Sequence, residues 1–296
     1  MNILIAGSNG QLGSEIKELT QNSKLKTQNS TFYFTDKDEL NITNKEDIKK
    51  FVIDNHIDTI INCAAYTAVD KAENDIENAN KINHLAVKYL AEISKEYDIS
   101  LIHISTDYVY DGKNYKPYKE DDTTNPQGVY GETKLLGEKA MIEVNPKKSC
   151  IIRTSWVYSS FGANFVKTML RLSKERDELG IIYDQIGTPT YARDLAGAIL
   201  QIIQHSALNT QHSTEIYHYS NEGVCSWYDF AKAIFELSDI DIKLNPIETT
   251  DYPTPATRPH YSVLDKSKIK KEFDIIIPYW KNSLQKCIKI LGENNV

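Results

Sequence analysis

Disulfide and metal chemistry have little to work with in this chain. Its four cysteines, Cys63, Cys150, Cys225 and Cys287, stand far apart with no Cys-x-x-Cys pair. That spacing argues against a disulfide framework or a zinc ribbon and fits buried thiols in a reducing compartment. The seven histidines show no His-x-x-x-His spacing, so no metal cluster is read from them. No run approaches the roughly 18 apolar residues of a membrane span. Met1-Asn2-Ile3-Leu4-Ile5-Ala6-Gly7 lacks the basic start and long apolar core of a signal peptide, so a cytoplasmic protein without a membrane partner is expected. Basic charge is short as well: 34 Lys and Arg against 41 Asp and Glu leave a net charge of −7. Nucleic acid is therefore not an expected partner, because phosphate backbones need a basic surface. A small phosphorylated ligand needs only a local positive site. Internal repeats, low-complexity tracts and long linkers are also missing.

What is present is an ordinary globular composition, 41% hydrophobic and 25% charged over 296 residues, long enough to bury roughly three quarters of its unfolded surface. Asn2–Ala6 is a short apolar run stopping at a glycine, as a buried parallel strand does. Gly7-Ser8-Asn9-Gly10-Gln11-Leu12-Gly13 then leads into a helical pattern. Glycines at this spacing permit a tight turn, close approach to a pyrophosphate and close helix–strand packing. The helix N-terminus adds free N–H groups for the anion. Thr31–Thr35 reads as a second strand. Asp36 ends it, either as the acid that meets an adenosine ribose or as a turn aspartate. Lys37 follows directly, which leaves NADH and NADPH both open.

Asn44 caps a helix running through Val52, and residues 58–65 read as a third strand ending in small side chains. A helix over 79–97 and a fourth strand over 101–107 follow. Ser105, Thr106 and Asp107 then stand at a strand's carboxyl end, where open α/β sheets bind ligands. A helix over 130–142 and a strand over 150–156 continue the alternation. The expected fold is α/β, a Rossmann-type doubly wound parallel sheet. Beyond Tyr158 the alternation loosens into helical patterns at 164–173 and 192–204 around a short strand at 180–183. A helix at 227–237, a proline-bearing stretch at 246–259 and a helix at 284–291 complete the chain. Residues 1–156, with 180–220 completing the sheet, are the expected dinucleotide-binding domain. Residues 157–179 and 221–296 are the expected smaller C-terminal substrate-binding lobe.

Tyr130 and Lys134 stand four apart in one of these helices, so both project from one face. An ammonium beside a phenol favours phenolate, and moving the tyrosine from its usual pKa of about 10 to near 7 takes about 4 kcal/mol. On spacing alone such a pair usually makes an ordinary solvated helix face.

The motifs taken together narrow the reading. They are GSNGQLG from Gly7, NCAAYTAVDKAE from Asn62, STDYVYDG from Ser105, YGETKLLGE from Tyr130, RTSWVY from Arg153, DQIGTPT from Asp184 and TPATRPHYSVLD from Thr254. Over nearly its whole length the chain resembles the extended short-chain dehydrogenase/reductases. Within them it is similar to the enzymes that reduce a dTDP-linked 4-keto-6-deoxy sugar to dTDP-L-rhamnose. The glycine motif and Tyr-x-x-x-Lys are common to the superfamily, whereas the last three segments are much narrower.

The resemblance implies NADPH or NADH as hydride donor to C4 of dTDP-4-dehydro-6-deoxy-L-mannose. It implies Tyr130 as proton donor, Lys134 as the residue that holds the nicotinamide ribose and acidifies Tyr130, and Thr106 as the hydroxyl partner of the carbonyl. Implied cofactor positions are Gly7, Gly10, Gln11, Leu12, Gly13, Asp36, Asn41, Ile42, Ala64, Ala65, Tyr66 and Thr67, with Tyr130 and Lys134. Implied substrate positions are Thr106, Asp107, Trp156 and Arg258, the last as a two-pronged diphosphate partner.

The family often has an aspartate where this chain has Asn41, which implies an altered grip on the adenine. Some relatives form metal-bridged dimers through carboxylates. Glu15 is available, but Mg2+ has no support in the sequence, and monomer and homodimer both stand. Asp107 is followed by Tyr108 rather than by a second carboxylate, which speaks against a 4,6-dehydratase. A 4-epimerase, a reductase giving 6-deoxytalose and a non-catalytic regulatory subunit are the alternatives.

Overall fold

The computed structural model describes residues 1–22 and 30–293. Strand β1, Asn2–Ala6, is apolar on both faces because both are covered. Ile3 and Ile5 enter one hydrophobic core, and Leu4 and Ala6 the other, as the two-residue period of a strand requires. Strands β2 (Thr31–Thr35) and β3 (Thr59–Asn62) flank it. β4 (Ser100–Thr106), β5 (Cys150–Thr154) and Glu215–His218 follow outward from β3, and every pairing is parallel. The chain steps from β1 outward to β2, then crosses back to β3. That reversal opens a crevice beyond the carboxyl ends of β1 and β3.

Helix α1 (Gln11–Asn22) buries Leu12, Ile16 and Leu19 against one sheet face, together with helix Ala192–Ile202. Helix α2 (Lys45–Asp54) covers the other face with Ile48 and Val52, beside Val87 and Leu90 of helix Ala86–Glu96. Asn44 caps α2, its side chain accepting from the Glu46 N–H. Lys81–Leu85 forms a π-helical turn just before Ala86–Glu96.

A third core belongs to the lobe, where Phe230, Ile234, Leu284 and Ile288 pack helix Trp227–Leu237 against helix Trp280–Glu293. Within 180–220, Glu215–His218 joins the central sheet, but Gly180, Ile181 and Ile182 belong to strand Glu178–Ile182. That strand pairs in parallel with Lys243–Ile247 in a separate two-stranded sheet. No strand is expected over Lys243–Ile247, which runs into the proline-bearing stretch at 246–259. The proline is accommodated in a two-stranded sheet, where every strand is an edge. The third strand also ends earlier than expected, at Asn62. All four cysteines are free, and among the described residues no helix is long and apolar enough to cross a membrane.

Candidate active site

The turn after β1 leaves no room for side chains. Gly7 has φ +76°, and a Cβ there would stand 2.7 Å from the Cα and N of Ala64 at the end of β3. A Cβ on Gly13 would meet the Gly7 carbonyl oxygen at 2.5 Å. Backbone therefore faces the crevice bare, over a cavity of about 600 Å³ lined by Gly7, Gly10, Asp36, Asn41, Ile42, Ala64 and Ala65. The cradle fits a dinucleotide: glycine amides at a helix start suit a diphosphate, and Asp36 lies on the wall where a ribose needs an acceptor. The Asn41 side-chain oxygen is taken by the Thr43 N–H and hydroxyl, at 3.1 and 2.8 Å.

Other expected cofactor residues stand outside this cavity lining. Gln11 accepts a hydrogen bond from Asn164 at 3.0 Å, and the Leu12 side chain lies in the core. Tyr66 donates its N–H to Asn83 and its phenol to Asp75, both at 2.9 Å, while Thr67 is exposed. Sequence reasoning missed Asn9, Asn78 and Lys81, which line the same cavity. Asn78 comes from helix Ile76–Asn80, which begins three residues before the expected helix start, and Lys81 from the π-helical turn that follows it.

Helix Val129–Val144 carries Tyr130 and Lys134 over β4. Lys134 is buried, its Nζ donating to the Ile104 carbonyl at 2.6 Å and standing 3.3 Å from His103 Nε2. Burial pushes its pKa down to about 8, against the raising effect of Glu138. The expected acidification of Tyr130 by Lys134 is corrected by the structure. Burial pushes the phenol up to about 12, the Thr106 hydroxyl draws it partly back, and Asp107 raises it. The reason is direction: Lys134 Nζ is turned to β4, where a carbonyl meets it.

Thr106 closes β4, its hydroxyl donating to Asp107 Oδ1 at 3.0 Å and accepting from the Tyr108 N–H at 3.3 Å. Burial lifts the Asp107 carboxyl to about 6, opposed by the Ser262 and Thr106 hydroxyls.

A second cavity, of about 420 Å³, opens between this strand end and the lobe. Trp156 forms one wall. Its φ is +48°, and its indole stacks on Trp227 with centroids 3.6 Å apart and planes 9° apart. A Cβ on Gly187 would stand 2.6 Å from that indole, so the ring is clamped on both sides. Arg258 also lines the cavity and donates from Nη2 to Asp70 Oδ2 at 2.5 Å, and Asp70 Oδ1 accepts the Ala256 N–H at 3.2 Å. Arg258 Nη1 is buried with no hydrogen-bond partner among the described residues. Tyr108 joins the two regions. It lines the cavity beside Arg258, and its ring meets Tyr130 edge-on at 5.4 Å. Phe165 and Trp227 also line this cavity but were read only as helix residues.

Glu15 is fully buried, accepting from Ser159 at 2.6 Å and from Arg193 at 3.1 Å. Burial raises its carboxyl despite both partners. Among the described residues no group of three or more His, Cys, Asp or Glu could hold a metal ion.

The family model described as RmlD substrate binding domain matches residues 1–292. The dTDP-4-dehydrorhamnose reductase of Aggregatibacter actinomycetemcomitans is 42% identical over 291 residues, covering 96% of this chain and 97% of its own. A solved dTDP-4-dehydrorhamnose reductase from Clostridium acetobutylicum gives a TM-score of 0.91 at 43% identity, covering 99% of this chain and 100% of that one. Another from Bacillus anthracis, solved in complex with NADP, gives 0.90 at 36%, covering 98% and 99%. Likeness of this extent in both sequence and fold identifies one family: the chain belongs to the dTDP-4-dehydrorhamnose reductases, among the extended short-chain dehydrogenase/reductases.

Proposed function

We propose that this protein reduces dTDP-4-dehydro-6-deoxy-L-mannose to dTDP-L-rhamnose with NADPH or NADH, Tyr130 giving the proton. The observation that carries the reading is the continuity from Thr106 and Tyr130, through Tyr108, to a cavity walled by Trp156 and an unsatisfied Arg258 nitrogen. Residues 1–156 hold the dinucleotide, and the lobe from 157–179 and 221–296 holds the nucleotide sugar. Bound reduced nicotinamide supplies the hydride to C4.

The residues of the chain do the rest. Reduction of a ketone leaves charge on its oxygen, and a nearby acid that still carries its proton can quench it. Tyr130, held near 12, is protonated at neutral pH and ready to give that proton. Thr106, beside the phenol, hydrogen-bonds the same oxygen as charge develops. Lys134 presents its donors to the ribose, and Arg258 offers the free edge of its guanidinium to the diphosphate. Trp156, clamped on both faces, gives the sugar a rigid wall.

The test supplies the keto sugar with NADPH or NADH, follows reduced nicotinamide and identifies the product by NMR. One equivalent consumed per sugar, with dTDP-L-rhamnose formed, is the expected result. An unchanged cofactor level alongside an altered sugar sinks the reductase reading. Tyr130→Phe should lower kcat by about 10²–10⁴, and parental turnover by that variant would refute the proton assignment.

A further inference from the structure

Behind Lys134 lies a wholly buried side chain that the chemistry above does not use, His103 on β4. Asn62, at the end of β3, is its register partner across the parallel pair. The Asn62 side-chain oxygen accepts the Ala64 N–H at 3.1 Å, which fixes the amide's orientation. Its Nδ2 then faces His103 Nδ1 at 3.1 Å and donates. A ring nitrogen that accepts carries no proton, so in the neutral imidazole the proton sits on Nε2. Nε2 is the atom 3.3 Å from Lys134 Nζ.

An N–H facing an ammonium sets donor against donor. Facing an unprotonated amine, it finds a lone pair, while the amine still donates to the Ile104 carbonyl at 2.6 Å. We propose that His103 is a positioning residue: fixed by Asn62, it presents Nε2–H to Lys134 and favours the unprotonated amine in the cofactor-free site. Burial works with this arrangement, and one neighbouring charge works against it. Burial keeps His103 well below the usual histidine range, so its ring is neutral. Glu138, one turn along the same helix, is the opposing charge on Lys134, and its carboxylate is bound by Arg153 on β5 and Ser105 on β4. The consequence rests on the reading that Lys134 holds the ribose. Cofactor binding draws Nζ away from His103, and the amine then takes one proton from solvent.

Two measurements test this without the sugar, so failure of the reductase reading leaves them intact. The first records ring ¹⁵N shifts in histidine-labelled, cofactor-free protein at pH 8.5, with His103→Gln assigning the signals by their loss. A proton on Nε2 with Nδ1 bare is expected. In Asn62→Asp, which can still accept the Ala64 N–H but turns a carboxylate oxygen to the ring, the proton should move to Nδ1. Wild-type protein with Nδ1 protonated, or with both nitrogens protonated, overturns the proposal. The second measures NADPH binding by calorimetry at pH 9 in two buffers of different ionisation enthalpy. Uptake of about half a proton or more is expected, since Lys134 titrates near 8 when free and nearer 10.4 when its constraint is relieved. Binding with no proton uptake in the wild type overturns it as well.

Discussion

The helix that carries Tyr130 and Lys134 is tied to the sheet by one carboxylate. Glu138 and Arg153 are 1% and 3% exposed. Arg153 Nη2 donates to Glu138 Oε2 at 2.7 Å, and Nε reaches Oε1 and Oε2 at 3.0 and 3.2 Å. Ser105 donates to the same carboxylate, and Arg153 Nη1 donates to the Tyr110 hydroxyl at 2.6 Å. Glu138→Gln keeps the volume and removes the charge, which strands the guanidinium in a dry site.

Breaking a buried pair in this way costs about 3–5 kcal/mol. An unfolding entropy of about 2.1 cal/mol/K per residue, taken over 296 residues, turns that into a fall in Tm of roughly 5–8 °C. Thermal unfolding followed by circular dichroism at pH 7 reads it. A double variant, Glu138→Leu with Arg153→Met, removes both charges and should recover most of the loss, because paired desolvation penalties vanish together. If Glu138→Gln lost less than about 1 kcal/mol, the pair would be no stronger than a surface one and the anchoring argument would fail.

Two further substitutions probe the two cavities. Arg258→Lys keeps the charge but loses the planar fork, one edge of which meets Asp70 while Nη1 is left without a partner among the described residues and is proposed to meet the diphosphate. It should raise KM for the nucleotide sugar roughly tenfold or more and leave KM for NADPH alone, and an unchanged sugar KM would remove Arg258 from the diphosphate site. Gly7→Ala sets a Cβ 2.7 Å from Ala64 at φ +76°. NADPH titrated by fluorescence should bind at least tenfold more weakly, and the protein should lose about 1–3 kcal/mol of stability from the strained conformation. Parental affinity would mean that the turn does not shape the cofactor cradle.

Legibility in the sequence followed the kind of signal each element leaves. Five of the six strands of the central sheet were visible, mostly as unbroken apolar runs, and the glycine turn because its cause lies in backbone space, whereas Glu215–His218, which reads EIYH, was assigned no strand. Strand Lys243–Ile247 left no such trace. It reads KLNPI, without alternation, and its partner Glu178–Ile182 lies more than sixty residues away in the chain.

The site divides along the same line. Spacing put Tyr130 and Lys134 on one helix face, but the direction of Lys134 Nζ depends on a carbonyl and an imidazole of β4, which spacing does not encode. His103 stands inside an apolar run and looks like any strand residue. Its partners, Asn62 and Lys134, come from two other elements. Arg153 and Glu138 were legible only as letters of the RTSWVY and YGETKLLGE motifs, and membership of a motif was the only reason the sequence offered for them. The structure gives them another: they neutralise one another between helix and sheet, and so hold Tyr130 and Lys134 over β4. A motif shared with an enzyme family therefore does not make each of its letters catalytic. In this chain Tyr130 is the residue proposed for the reacting end, and Glu138, two turns along the same helix, ties that helix to the sheet.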